Sequence, residues 1–82
     1  MKQFKNSDGE VWIATAREEQ TPRHHTRWHL VFHPVNQGEA MLPLPEIRWQ
    51  TRETAERTLA SMSLFELRRR LKVARARAVA NV

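Results

Sequence analysis

The sequence predicts an α+β domain: an antiparallel sheet of three or four strands followed by two C-terminal helices, in the order ββββαα, with one face of the sheet covered. Three observations predict it. The first fifty residues carry alternating or β-rich runs broken by turn residues. From Thr51 the apolar period becomes that of a helix. A chain of 82 residues has room for a single domain, spanning 1–82, with the sheet over about 2–50 and the helices over about 52–61 and 63–80.

Each element has its own signal. "NSDG" (Asn6 to Gly9) is a turn between "QFK" and "EVWIATA", and the second piece is rich in β-formers, so a short hairpin is expected. "TPRHH" interrupts the chain at Pro22. "TRWHLVFH" then alternates cleanly, with Trp28, Leu30 and Phe32 on one face and Arg27, His29, Val31 and His33 on the other. "PVNQGEA" reads as loop. "MLPLPEIRWQ" reads as an edge strand, because Pro43 and Pro45 cannot donate to a ladder, and Ile47 and Trp49 are expected to face the core from it.

Thr51 has the place of a helix N-cap, and Ala55, Leu59 and Met62 form a narrow apolar stripe behind it. Glu53 and Arg57 add a favourable i,i+4 pair. Ser63 and Glu66 then have the S-x-x-E spacing of a capping box, so two helices, or one sharply kinked helix, follow the sheet. Over residues 10–62 a sheet followed by a "T-x-E-x-A" helix start resembles the three-strand-plus-helix DNA-binding domains of plant regulators and phage integrases, a likeness of architecture alone.

Composition narrows the function classes. Cysteine is absent, which excludes disulfides and thiolate metal sites and fits a reducing compartment. "MKQFKNSDGE" has no apolar run of signal-peptide type, and no apolar stretch approaches the ~20 residues of a membrane span, so a cytoplasmic protein without a membrane partner is expected. The net charge of +5 is unevenly placed. Residues 1–50 balance six basic against six acidic side chains, whereas residues 51–82 hold eight basic side chains against Glu53, Glu56 and Glu66. Eleven of the fourteen basic residues are Arg, the side chain suited to bidentate contact with carboxylate or phosphate.

That excess concentrates in "SLFELRRRLKVARARAVANV" (Ser63 to Val82). On a heptad, Leu64, Leu67, Leu71, Ala74 and Ala78 form an a/d seam, with Arg68 and Arg75 at e and Arg70 and Arg77 at g. Parallel self-pairing through this seam is disfavoured by like charge, while an acidic partner is welcomed. Within the run only Glu66 opposes Arg68, Arg69, Arg70, Lys72, Arg75 and Arg77, so the helix cannot neutralise itself. Arg68, Lys72 and Arg75 lie on one flank and Arg70 and Arg77 on the other. The bland alternative is a leucine seam docked on the sheet with the Arg stems across its rim and their heads in water.

Other chemistry-bearing residues give weaker signals. His25, His29 and His33 share a strand face, but each lies about 13 Å from the next, too far to hold one ion, so no metal site is expected and His29 and His33 read as exposed sheet residues. Trp28 and Trp49 have core parity. Trp12 is open: if Val11 and Ile13 face the core, it joins Arg27, His29, His33 and Arg48 in a mixed aromatic and basic platform able to stack bases; in the opposite register it is core. No nucleophile motif, phosphate loop or positioned carboxylate pair occurs, so no enzyme activity and no cofactor are expected.

The sequence therefore points to a small regulatory or adaptor protein that docks its basic helix on an acidic surface of a macromolecular complex such as the transcription or translation machinery. The second reading is direct, weakly sequence-specific nucleic-acid binding through the same helix (Arg68, Arg69, Arg70, Lys72, Arg75, Arg77) and the Trp12, Arg27 and Arg48 face.

Overall fold

The hairpin turn sets the register of the first strand pair. In the computed structural model, which describes residues 1–20, 26–36 and 40–80, the Asn6 amide donates to the Glu10 carbonyl at 2.8 Å and the Gly9 amide to the Asn6 carbonyl at 3.1 Å. Asn6 Oδ1 accepts from the amides of Asp8 at 3.0 Å and Glu10 at 2.8 Å, closing an Asx-type turn. Gly9 completes it at φ +84°, in the left-handed region where a Cβ is penalised. This loop joins β1 (Lys2–Lys5) to β2 (Val11–Gln20) and places Lys5 opposite Val11 and Phe4 opposite Trp12.

β3 (Thr26–Pro34) and β4 (Leu42–Trp49) continue the sheet in the order β1-β2-β3-β4, all neighbours antiparallel. The four-stranded sheet and the edge position expected of the proline-bearing strand are both observed. The break at "TPRHH" lies outside the described residues, as does part of the loop "PVNQGEA" (37–39). In β4 the register shifts: Leu44 opposes Leu30, yet Arg48 opposes the adjacent residue His29. The extra residues between them form an irregularity that reverses the parity of the strand. Leu44 before it is therefore buried, and Ile47 and Trp49 after it pack against the same core.

One cluster holds Phe4, Trp12, Ala14, Leu30, Phe32 and Leu44 from the sheet with Leu59, Met62, Leu67, Leu71 and Ala74 from the helices, so both helices sit on the same side. Phe4 and Phe32 meet edge to face, with ring centroids 5.9 Å apart. Trp28 is half-buried, with the Arg52 guanidinium 6.0 Å over its ring. Val31 is also buried, although strand alternation points it away from the helices.

α1 (Arg52–Ser61) is capped as its sequence predicts: Thr51 is extended and its hydroxyl accepts the Thr54 amide at 3.1 Å. Met62 leaves the helix at ψ 129°, which separates α1 from α2 (Leu64–Ala80) and decides for two helices. Ser63 Oγ accepts the Glu66 amide at 3.1 Å, half of the expected capping box. The Glu66 carboxylate turns instead to Arg70. No helix among the described residues is long and apolar enough to cross a membrane.

Candidate docking surface

α2 meets the sheet through Leu67, Leu71 and Ala74, all buried, with Ala78 half-buried behind them. The seam is thus spent within the domain. Leu64 does not belong to it: this first helical residue is 45% exposed and precedes the turn at which the helix reaches the sheet.

Once that face is fixed, the two flanks differ. On one flank Arg70 places Nε and Nη2 3.2 and 3.0 Å from Glu66 Oε1, and Arg77 donates to Glu46 of β4. The hydrogen bond from Arg77 holds the Glu46 carboxyl below its ordinary range, and the same bond raises Arg77. On the other flank the Arg68 Nε donates to the Lys5 carbonyl at 2.9 Å, and the Arg75 guanidinium lies 5.6 Å over the Trp12 ring. Among the described residues neither of these, nor Lys72, nor the outward-facing Arg69, forms an ion pair. Internal compensation takes up Arg70 and Arg77 and, among the described residues, leaves four of the six α2 cations without an ion pair.

The outward surface also carries apolar groups. Phe65 is 78% exposed and Val79 75% exposed, and with Lys72 between them they occupy positions seven residues apart, about two turns each, along one line. Arg68 and Arg75 border that line on one side, Arg69 and Ala76 on the other. Sequence reasoning missed this line. Its signal was available as the repeat Phe65, Lys72, Val79, but the leucine seam took the same heptad argument first.

Two hollows flank the helix. A cleft of about 330 Å³ lies between the β1–β2 turn and α2, lined by Asn6, Ser7, Asp8, Arg68, Lys72 and Arg75. A second, of about 280 Å³, is mostly apolar through Leu44, Ile47 and Val73, with Arg69 and Arg70 in its wall.

Of the two registers left open, the one that would gather Trp12, Arg27 and Arg48 into a platform is not adopted. Trp12 is 6% exposed and lies in the core under α2, whereas Arg27 and Arg48 are exposed with the parity of the opposite sheet face. The reason is the hairpin register, which pairs Trp12 with the inward Phe4. The opposite face has instead a cross-strand row of Arg17, His29 and Arg48. His29 and His33 are half-buried rather than exposed, and His29 Nδ1 is buried without a described partner. His25 falls outside the described residues. No family model, no curated protein and no solved structure matches this chain.

Proposed function

We propose that the protein is a small non-enzymatic adaptor that docks the outer surface of α2 on a partner protein carrying carboxylates around an apolar patch. The observation that carries this reading is the coincidence, on one exposed helix surface, of Arg68, Arg69, Lys72 and Arg75, cations that form no ion pair among the described residues, with Phe65 and Val79. Phosphates would use the cations and leave the phenyl ring in water. A protein surface uses both, because aromatic and Arg side chains are the groups that anchor interfaces. An acidic site in the transcription or translation machinery fits these requirements.

The test begins with partners captured from cell extract, identified and rebuilt from purified components. Phe65→Ala and Arg69→Ala are each expected to weaken the rebuilt complex by about tenfold or more, the size of an interface anchor. Arg70→Ala and Arg77→Ala, whose cations are already neutralised, are expected to change it little. In parallel, anisotropy of labelled mixed-sequence DNA and RNA is followed at several salt concentrations. Salt slopes that fall by about one unit for each of Arg68→Ala, Arg69→Ala and Arg75→Ala, with Phe65→Ala silent, would replace docking by direct nucleic-acid binding.

A further inference from the structure

The cleft between the β1–β2 turn and α2 has a chemistry of its own. Arg68, Lys72 and Arg75 enter it at i, i+4 and i+7 of one helix, and Asp8 supplies the only carboxylate among the described residues of its wall, leaving an excess of two positive charges. Two of the three cations are held in place before any ligand arrives: Arg68 by its 2.9 Å bond to the Lys5 carbonyl and Arg75 by its stacking on Trp12. Each keeps guanidinium N–H groups free to donate, Lys72 adds a mobile ammonium, and the exposed Ser7 hydroxyl stands on the opposite wall. The turn that presents Ser7 and Asp8 is itself rigid, since Asn6 is buried and its Oδ1 accepts two backbone amides.

The geometry points to this cleft as a binding site for a phosphomonoester group. A phosphomonoester near pH 7 carries close to two negative charges and three strong acceptor oxygens, which matches both the charge excess and the three cationic donors. A carboxylate would leave the cleft positive. A phosphodiester, with one charge per phosphate, would do the same. The volume of about 330 Å³ is at the small end of ligand pockets, suited to a compact phosphorylated molecule or a phosphorylated side chain. Asp8 then acts as a brake: its like charge holds affinity down and penalises any ligand that brings fewer cation contacts. This site goes beyond the docking reading, because it recognises a phosphate group and uses neither Phe65 nor Val79.

The experiment is a titration of the full-length, isotope-labelled chain with inorganic phosphate, followed through its backbone amide resonances, against sodium acetate at matched ionic strength. Saturable shifts confined to residues 6–9 and 68–75 with phosphate, and not with acetate, are expected. Asp8→Asn should tighten phosphate binding by about threefold or more by removing a like charge, and Lys72→Gln, at an exposed position that makes no described bond, should weaken it by a similar factor. Glycerol phosphate and a phosphoserine peptide, run in the same way, separate the two sources of the group: the tighter binder names it. Equal, unsaturable responses to phosphate and acetate, or an Asp8→Asn variant no tighter than the parent, would overturn the proposal.

Discussion

Gly9 shows how much a single residue settles. Its φ of +84° closes the turn, and among the described residues no heavy atom beyond its two chain neighbours stands within 4 Å of where a Cβ would project, so substitution there meets a backbone penalty without a steric one. Gly9→Ala is expected to destabilise the domain by about 1 kcal/mol in denaturant unfolding, and Gly9→Asn by less, because Asn tolerates the left-handed region. A loss several times larger would mean that the register itself had slipped. The same turn decides Trp12, whose orientation sequence parity left open because Val11, Trp12 and Ile13 are all apolar. The information was present in "NSDG": a three-residue loop between Asn6 and Glu10 pairs Phe4 with Trp12. Only loop geometry, read before strand alternation, would have extracted it. The outward line through Phe65 was legible only as the repeat Phe65, Lys72, Val79 set against the buried Leu67, Leu71 and Ala74 face, a comparison that needs both heptad faces read together.

At the scale of elements, both helix starts were legible because caps are local chemistry: a hydroxyl at Thr51 or Ser63 can satisfy an orphan amide without any tertiary contact. Ser63→Ala should therefore cost about 1 kcal/mol of stability, measured by thermal or denaturant unfolding, while Ser61→Ala, whose hydroxyl reaches only the Thr58 carbonyl, should stay near neutral. The irregularity in β4 was not legible, because Leu44 and Ile47 have opposite parity and a straight strand can bury only one of them. Which flank of α2 is neutralised was equally hidden, for the Arg77 partner is Glu46, thirty-one residues away. That tie has a pH signature. The folded-state pKa of Glu46 is lowered, chiefly by the Arg77 hydrogen bond, so its contribution is fully present above the ordinary carboxylate value of 4.5 and is lost as pH falls through the lowered folded-state value. Both groups are well exposed, so the effect is small. Comparing stability against pH for the parent and Glu46→Gln should show a shallower acid limb in the variant; parallel limbs would show that the pair carries no stability.

For the molecule as a whole, the basic helix is both the candidate interface and part of the core, and this governs how its function can be tested. Deleting everything after Ser63 removes Leu67, Leu71 and Ala74 and uncovers Trp12, Phe4 and Leu44 on the sheet. Each buried leucine is worth about 1.5–3 kcal/mol, and an aromatic side chain returned to water loses several more. Against this stands a total margin of roughly 4–12 kcal/mol for a chain of 82 residues. The deletion also abolishes the entropy cost of ordering α2 itself, but the sheet must still be ordered while its apolar face loses its cover. The truncated chain is therefore expected to lose its cooperative thermal transition and its near-UV circular dichroism, and with them any binding, whatever α2 does. A variant of the whole 82-residue chain carrying Arg68→Gln, Arg69→Gln, Lys72→Gln and Arg75→Gln removes these charges while leaving every buried core side chain in place. Surface changes shift stability by about 0.5 kcal/mol or less each, with about 1 kcal/mol each for the Arg75 stacking on Trp12 and for the Arg68 bond to the Lys5 carbonyl, so a cooperative transition should survive. If the truncated chain instead unfolds cooperatively with its near-UV signal intact, α2 contributes little to the core. Its leucines would then be free to join the partner interface, and the docking surface would have to be redrawn on the inner side of the helix.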